Sequence, residues 1–415
     1  MSAMDHDATA TRGGADSRAG IFARFLRFGL LAWGGPVVQI AMLRRELVEE
    51  EHWISGDRFN RLLAVYQVLP GPEAHELAVH LGFLRGGRIG ALLAGLGFML
   101  PGFVLMFALS WLYFQIDLTQ AAIGAALLGA QIAVIALVVR AVQQLGQHVL
   151  ASPGLILIGL AGAIATLAGV PFWVTLPVGG AAHALASRMG RASGLVPGVL
   201  AAVAVVALAW SILANGGLVL PGSPGPNTHL PIIEPSIVEL FVSGLKAGLL
   251  TFGGAYTAIP FLRGDAVGRG WIADTQFLDG IALAGVIPAP LIIFSTFVGY
   301  VGGGPLGALA MTAGVFLPAF SFSLLFGDRI EAVIDHPALR DFLAGVAAAV
   351  VGLIAITGIE LGLAVVARVP SLVPGGLIFM GALAILLIVR SKAAIPAVVG
   401  GAALAGWLAF DLLAR

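Results

Sequence analysis

Two kinds of interruption in otherwise apolar segments mark where this chain could do chemistry. One is a Gly-Gly break, Gly34-Gly35-Pro36, which returns as Gly253-Gly254. The other is a proline pair, Leu69-Pro70-Gly71-Pro72, which returns as Ile287-Pro288-Ala289-Pro290. Two prolines in three residues cannot lie inside an unbroken α-helix, because an amide hydrogen is missing and the ring clashes with the preceding turn. A half-helix that begins after such a break points free N–H groups and its positive dipole end ahead of it, a setting for an anion. Glycine lets an oxyanion approach the backbone, and Arg44 or Arg263 would add a fixed charge with bidentate geometry. Gln39, Gln67, Thr251, Tyr256 and Thr257 offer neutral hydrogen bonds at the same depth, or serve as ordinary interhelical glue. The bland reading of a single break is a packing kink; recurrence in matched places argues against it for the set.

Ionisable residues follow the first proline pair only. Glu73, Glu76 and His80 fall on one helical face with His75 beside them, which makes Glu73, His75 and Glu76 candidates for proton coupling. A helix end meeting interfacial water would carry the same residues. The second copy has Leu291, Ile292, Ile293 and Phe294 there, so any such role belongs to the first copy alone. The acidic run Glu46, Glu49, Glu50 and Glu51, with Arg44, Arg45 and His52, reads as a solvated loop helix with i,i+4 pairs rather than a metal site. Gly302-x-Gly304-x-x-Gly307 matches a dinucleotide fingerprint only on paper, since it opens an apolar span, contains Pro305 and has no βαβ unit around it. The spacing Gly86-xxx-Gly90, echoed by Gly303-xxx-Gly307, reads as close helix packing. A Walker A sequence is absent, which argues against ATP hydrolysis.

The elements that must position these residues are membrane helices. Of 415 residues, 59% are hydrophobic and 11% charged, with a mean hydropathy of +0.99. No soluble fold of this length hides so much apolar side chain. The net charge of zero, 22 basic against 22 acidic residues, argues against a nucleic-acid partner, and the lack of cysteine excludes disulfides and thiolate sites. Residues 1–20 are polar and read as a flexible cytoplasmic tail. Thirteen apolar segments follow, near 22–43, 60–82, 89–114, 120–145, 154–170, 172–187, 195–214, 237–262, 276–300, 305–326, 342–366, 373–389 and 393–412, with the pair 154–187 short enough to form a hairpin. The excess of Lys and Arg places the N-terminus inside and the C-terminus outside, 15 residues against 7. Arg44, Arg45, Arg58 and Arg61 break that rule, so either their connection is special or the first two segments do not simply span.

The segments repeat. Trp33-Gly34-Gly35 and Arg44 match Phe252-Gly253-Gly254 and Arg263 at an offset of 219. One residue is then lost: Ile54, Phe59, Pro70 and Pro72 match Ile272, Phe277, Pro288 and Pro290. Gly86-Gly87, Leu100-Pro101 and Gly179-Gly180-Ala181 match Gly303-Gly304, Leu317-Pro318 and Gly400-Gly401-Ala402. The expected organisation is a first repeat of six segments at 21–190, a linking helix at 191–215, a Pro-rich linker at 216–235 and a second repeat at 236–415. The unmatched central segment would turn the second copy upside down, giving inverted halves with a site at their interface near the membrane midplane. A parallel duplication is the alternative.

The stretch Trp33-Gly34-Gly35-Pro36, QIAMLRRELVEEEHWIS (39–55) and LPGPEA (69–74) resembles the chromate ion transporter family in its long two-domain form. TFGGAYTAIPFL (251–262), GWI (270–272) and FLDGIALAG (277–285) resemble that family's second copy. The resemblance covers nearly the whole chain. It implies an all-α inner-membrane carrier of thirteen helices with antiparallel halves, moving chromate outward, with sulfate as the isosteric oxyanion. The family often has Phe at Trp33, Glu-Thr-Pro-Gly-Pro in the second copy and an amide pair at His75-Glu76, and these departures touch the expected cavity. Expected substrate contacts are therefore Gly34, Gly35, Pro36, Gln39, Arg44, Pro70, Gly71, Pro72, Thr251, Gly253, Gly254, Tyr256, Arg263, Pro288 and Pro290. The expected partners are chromate and the bilayer, with no cofactor or metal and a homodimer left open. A channel would also fit inverted repeats, whereas a membrane enzyme would need a nucleophile or acid–base set that only Glu73–His80 approaches.

Overall fold

The computed structural model describes residues 17–116, 120–188, 234–252, 254–327, 336–389 and 391–412, and all the regular elements among them are helical. The expected segment 195–214 and residues 216–233 of the expected linker lie outside the described residues.

Helix α1 (Arg18–Leu30) is capped by Ser17, whose hydroxyl accepts the Gly20 amide at 3.0 Å. It ends at the Gly-Gly break, where Gly34 and Gly35 have φ of +91° and +83°, open to glycine and to few other residues. Helix α2 (Pro36–Arg44) restarts on a proline, whose missing amide would be unsatisfied at a first helical position anyway, and continues as a π-helical turn, Arg45–Glu50. The chain after the break folds back beside α1. Arg27 pairs with Glu46 and Arg24 with Glu51, and the Phe25 and Trp53 rings stand 6.3 Å apart.

Helix α3 (Gly56–Val68) stops before the proline pair, and α4 (Glu73–Tyr113) starts behind Pro72. Within α4, residues 73–85 lead back to the same cluster, since the Arg85 guanidinium lies 5.1 Å from the Trp53 ring. At Gly86-Gly87 the helix breaks sharply, with Gly87 at φ +60°. The two arms then touch through Gly82 and Gly90, each so close to the other's carbonyl that neither has room for a β-carbon. The close-packing glycine is therefore Gly90, while Gly86 belongs to the turn. The first two apolar segments are hairpins of short helices rather than single crossings. Glu49, Glu50, Glu51 and Trp53, between the two hairpins, thereby draw together Arg44, Arg45, Arg24 and Arg85.

Helices α5 (Ala121–Val149), α6 (Pro153–Leu167) and α7 (Phe172–Arg188) complete the first half. The second half repeats the plan with α8 (Ile237–Leu249), a 3-10 turn (Ala255–Thr257), α9 (Ala258–Ala266) and α10 (Asp274–Gly285). A second 3-10 turn (Leu291–Ile293) leads into α11 (Phe294–Phe326), then α12 (Pro337–Val366), α13 (Leu372–Ile388) and α14 (Ala394–Trp407). Local devices recur with the sequence. Lys246 pairs with Asp265, 219 residues after Arg27 and Glu46; Gly304 has φ +61°; and Gly299 meets Gly307 as Gly82 meets Gly90.

Five helices among the described residues are long and apolar enough to cross a membrane: Glu73–Tyr113, Ala121–Val149, Leu291–Phe326, Pro337–Val366 and Ala394–Asp411. Helices α6 and α13 are apolar but shorter. The chain is a helical membrane protein. Matched helices of the two halves pack against each other in opposite directions. In α4 and α11, Gly95 meets Phe320 whereas the Tyr113 ring lies 5.0 Å from that of Phe297. In α5 and α12, Gly146 meets Val351 whereas Ile135 meets Gly362. Helices α5 and α12 also pack on the last helix of the other half, Gly129 on Ala402 and Gly345 on Gly179. Small residues make this possible by letting backbones touch.

Candidate functional site

The breaks of the two halves meet inside the molecule. The Gly71 amide, in the proline-pair break of the first half, donates to the Thr251 carbonyl at the Gly-Gly break of the second, 2.7 Å away. Gly71 has φ +153°, a conformation that favours glycine, and a β-carbon there would displace the Glu76 carboxylate. A cavity of about 530 Å³ opens beside this junction. Its wall takes Pro36 and Val37 from the first break, Gln67 and Glu73 from either side of the second, and Gly254, Tyr256 and Thr257 from the third. Three helical N-termini converge on it, those of α2, α4 and the 3-10 turn at Ala255. Helices α5, α6 and α12 close the remainder and add Gln144, His148 and Arg340.

Among the expected contacts, Pro36, Gly254 and Tyr256 line this cavity, as does Glu73. Gly35 is the N-cap of α2 and Pro72 that of α4, so both stand directly behind cavity residues. Gly34 packs on the backbone of Lys392. Gln39 is buried and donates from Nε2 to the Ala32 carbonyl at 2.9 Å, tying the hairpin tip together. Thr251 is buried, and its hydroxyl donates to the Ala247 carbonyl. Pro70 flanks the Gly71 junction, and Pro290 caps the turn before α11 with Pro288 buried beside it. Gly253 lies outside the described residues.

The structure brings neither expected arginine to the cavity. Arg44 is exposed and bonds Glu49 and Asn60, its nearest polar neighbours along the hairpin. Arg263 donates from Nε to Asp274 at 2.8 Å and from Nη1 to Glu360 at 2.6 Å, joining α9, α10 and α12. His75 and Glu76 are also elsewhere. His75 bonds the Gly95 carbonyl at 3.1 Å and packs between Phe316 and Phe320, at the contact between halves. Glu76 is fully buried, and neither carboxylate oxygen has a hydrogen-bond partner. Burying a carboxylate without a hydrogen-bond partner is costly, which sets Glu76 apart from Glu73 on the cavity wall.

His148, Arg340 and Gln144 were missed by the sequence reading, and so was a buried network at Asp279. There Tyr113 Oη donates to Asp279 Oδ2 at 2.8 Å and Gln131 Nε2 to Oδ1 at 2.7 Å, while Arg368 Nη1 donates to Gln131 Oε1 at 2.8 Å. The available signal was the presence of polar and ionisable residues inside apolar segments, which are expensive and therefore usually functional. Gln131 sits in the middle of the expected segment 120–145, and Asp279 near the start of 276–300.

Comparison with known proteins gives consistent results. The chromate transporter family pattern matches residues 19–185 and 238–407, one region in each half. A chromate transport protein of Pseudomonas aeruginosa is 59% identical over 392 residues, covering 94% of this chain and 92% of that protein. A chromate transport protein of Cupriavidus metallidurans is 32% identical over 416 residues, with the same two coverages. A probable chromate transport protein of Synechococcus elongatus is 29% identical over 344 residues, 81% of this chain and 83% of that one. No solved structure matches the chain.

Proposed function

The chain belongs to the chromate transporter family, and on that premise we propose that it is a secondary carrier moving chromate outward across the bacterial inner membrane. The observation that carries this reading is the cavity at the junction of the two halves, where three helical N-termini meet Arg340 and His148. Free N–H groups, aligned dipoles and a guanidinium are the donors a tetrahedral dianion needs, and sulfate would compete for them. Gly35, Pro36, Gly71, Pro72 and Gly254 shape the donor backbone, and Tyr256 supplies a hydroxyl, while Thr257, whose own hydroxyl donates to the Gly254 carbonyl at 2.7 Å, holds the turn. Outward movement of two negative charges from an inside-negative cell is favoured by about 2.3 kcal/mol per charge per 100 mV, so efflux needs no compulsory partner ion.

The opposed packing of α4 on α11 and of α5 on α12 supports two inverted six-segment halves, 21–190 and 236–415. A linking helix would lie in 191–215 and a linker in 216–235. With the two hairpin segments of each half returning to their own side, the odd number of remaining crossings among the thirteen segments would leave the N-terminus cytoplasmic and the C-terminus periplasmic. Glu73 faces the same cavity as His148 and interacts with it electrostatically. Its charge opposes an entering anion, so proton uptake at Glu73 would favour loading, with Glu76 as a buried store one turn away and His75 behind it.

Labelled chromate uptake into oriented vesicles tests the reading. Arg340→Ala should raise the KM about tenfold or more, the worth of a hydrogen bond to a charged group. Glu73→Gln should flatten the pH dependence of flux. Wild-type vesicles that take up no more chromate than control vesicles would sink the carrier reading, and an unchanged KM in Arg340→Ala would sink the site.

A further inference from the structure

The cavity has a counterpart elsewhere in the molecule. Adding 216 to Gly146 gives Gly362, and subtracting 216 from Val351 gives Ile135, so the two glycine contacts of α5 with α12 are images of each other. The same shift carries the cavity-wall residue Ala347 onto Gln131 and Gln144 onto Glu360. The image of the cavity therefore lies where α5, α10 and the end of α12 converge. What stands there is a carboxylate.

Asp279 is 4% exposed and accepts Tyr113 and Gln131, while Arg368 holds the far end of the Gln131 amide and supplies the positive charge. Two of these donors come from the first half, whereas the carboxylate and the arginine come from the second. Glu360, the image of cavity residue Gln144, is meanwhile pinned by Arg263. Burying the Asp279 carboxylate is a poor way to gain stability, because its desolvation offsets the attraction of its donors, while Arg368 itself stays exposed. The donor set is a good way to hold negatively charged oxygens, and Asp279 provides two.

Resting on the reading of a carrier with inverted halves, we propose that Tyr113, Gln131 and Arg368 form a second oxyanion station on the face opposite the cavity. The Asp279 carboxylate fills it while that face is shut. When the face opens, Asp279 withdraws and a divalent tetrahedral anion takes its place against the same donors. The anion would thus be handed between two stations related by the internal repeat, one open in this structure and one capped by the protein's own carboxylate.

The cysteine-free chain makes the test direct. Ala130→Cys, at a position 5% exposed and adjacent to Gln131, is placed in the full-length protein in vesicles and exposed to a membrane-impermeant maleimide. With the network intact it should label slowly. Adding Asp279→Asn should speed labelling about tenfold, the scale of one charge-assisted hydrogen bond, and sulfate or chromate should slow it again. Adding Arg368→Ala as well should leave labelling fast and abolish that protection. If Asp279→Asn does not accumulate, Tyr113→Phe removes one donor and should give the same pattern on a smaller scale. Labelling that does not accelerate, or accelerates with no protection by either anion, overturns the station. Chromate uptake by the wild-type vesicles separates the two failures: normal uptake with no protection refutes the station alone, whereas absent uptake refutes the carrier reading.

Discussion

In the first copy of the repeat, the chain just past the Gly-Gly break stands open, with Val37 77% exposed on the cavity wall. In the second copy, Ala255, Ala258, Ile259, Phe261 and Leu262 are each at most 1% exposed. The arginine that follows behaves accordingly. Arg44 bonds Glu49 and Asn60 and Arg263 likewise bonds the nearby Asp274, but Arg263 alone also reaches Glu360, 97 residues away. One sequence unit thus has two sets of surroundings, looser at Val37 in the first copy and more tightly packed along the matching stretch of the second, although both breaks reach the same cavity. A carrier open to one face requires this difference, and within the proposed function the two copies would exchange surroundings as the anion crosses.

The comparison predicts that equivalent substitutions have unequal costs. Arg263→Ala leaves two part-buried carboxylates unpaired and should cost about 2–3 kcal/mol, somewhat below the range for a fully buried pair. Arg44→Ala breaks an exposed pair and should cost under about 1 kcal/mol. Thermal unfolding of the detergent-solubilised variants measures both; equal shifts would mean that the second hairpin is no more tightly held than the first. A smaller gap is expected for the paired residues within the hairpins. Lys246→Ala leaves Asp265, 8% exposed, with Arg269 at 3.7 Å as its remaining cation, at about 1–2 kcal/mol. Arg27 is 58% exposed, and Arg27→Ala should cost about 0.5 kcal/mol or less. If Arg27→Ala proves the costlier of the two, the first hairpin depends on its ion pair in a way that its exposure does not suggest.

Much of this asymmetry was invisible in the sequence, although the repeat was plain. Gly-Gly breaks, proline pairs and matched glycines are local backbone requirements, so they can be read residue by residue. Hydropathy did not distinguish one crossing of about 23 residues from two short helices folded on a tip, because both bury the same side chains in the same medium. Only the four arginines of the first connection hinted at the fold-back, since they otherwise stood on the wrong side. Arg340 and His148 were not legible as cavity residues, because α12 and α5 are brought to the breaks by contacts between halves. For the same reason the sequence suggested a substrate contact at Arg263 and could not foresee Glu360 as its partner.

At the breaks themselves the two copies should behave alike. Gly35 has φ +83° and ψ −178°, and Gly254 has φ +122° and ψ +162°, both in a region that only glycine occupies readily. A β-carbon at Gly254 would meet nothing within 4 Å, and one at Gly35 only the Ile395 side chain at 3.9 Å. Alanine therefore fits the space in both places and strains only the backbone, at about 1–3 kcal/mol in each. Gly35→Ala and Gly254→Ala should consequently lower the unfolding temperature by similar amounts, despite the very different burial of the residues that follow. Equal costs would mean that the break is an intrinsic property of the repeated unit and that the asymmetry arises only in what packs around it. A much larger penalty at Gly254 would locate part of the asymmetry in the backbone of the break, so that exchanging the two surroundings would also require the Gly-Gly turn to change shape.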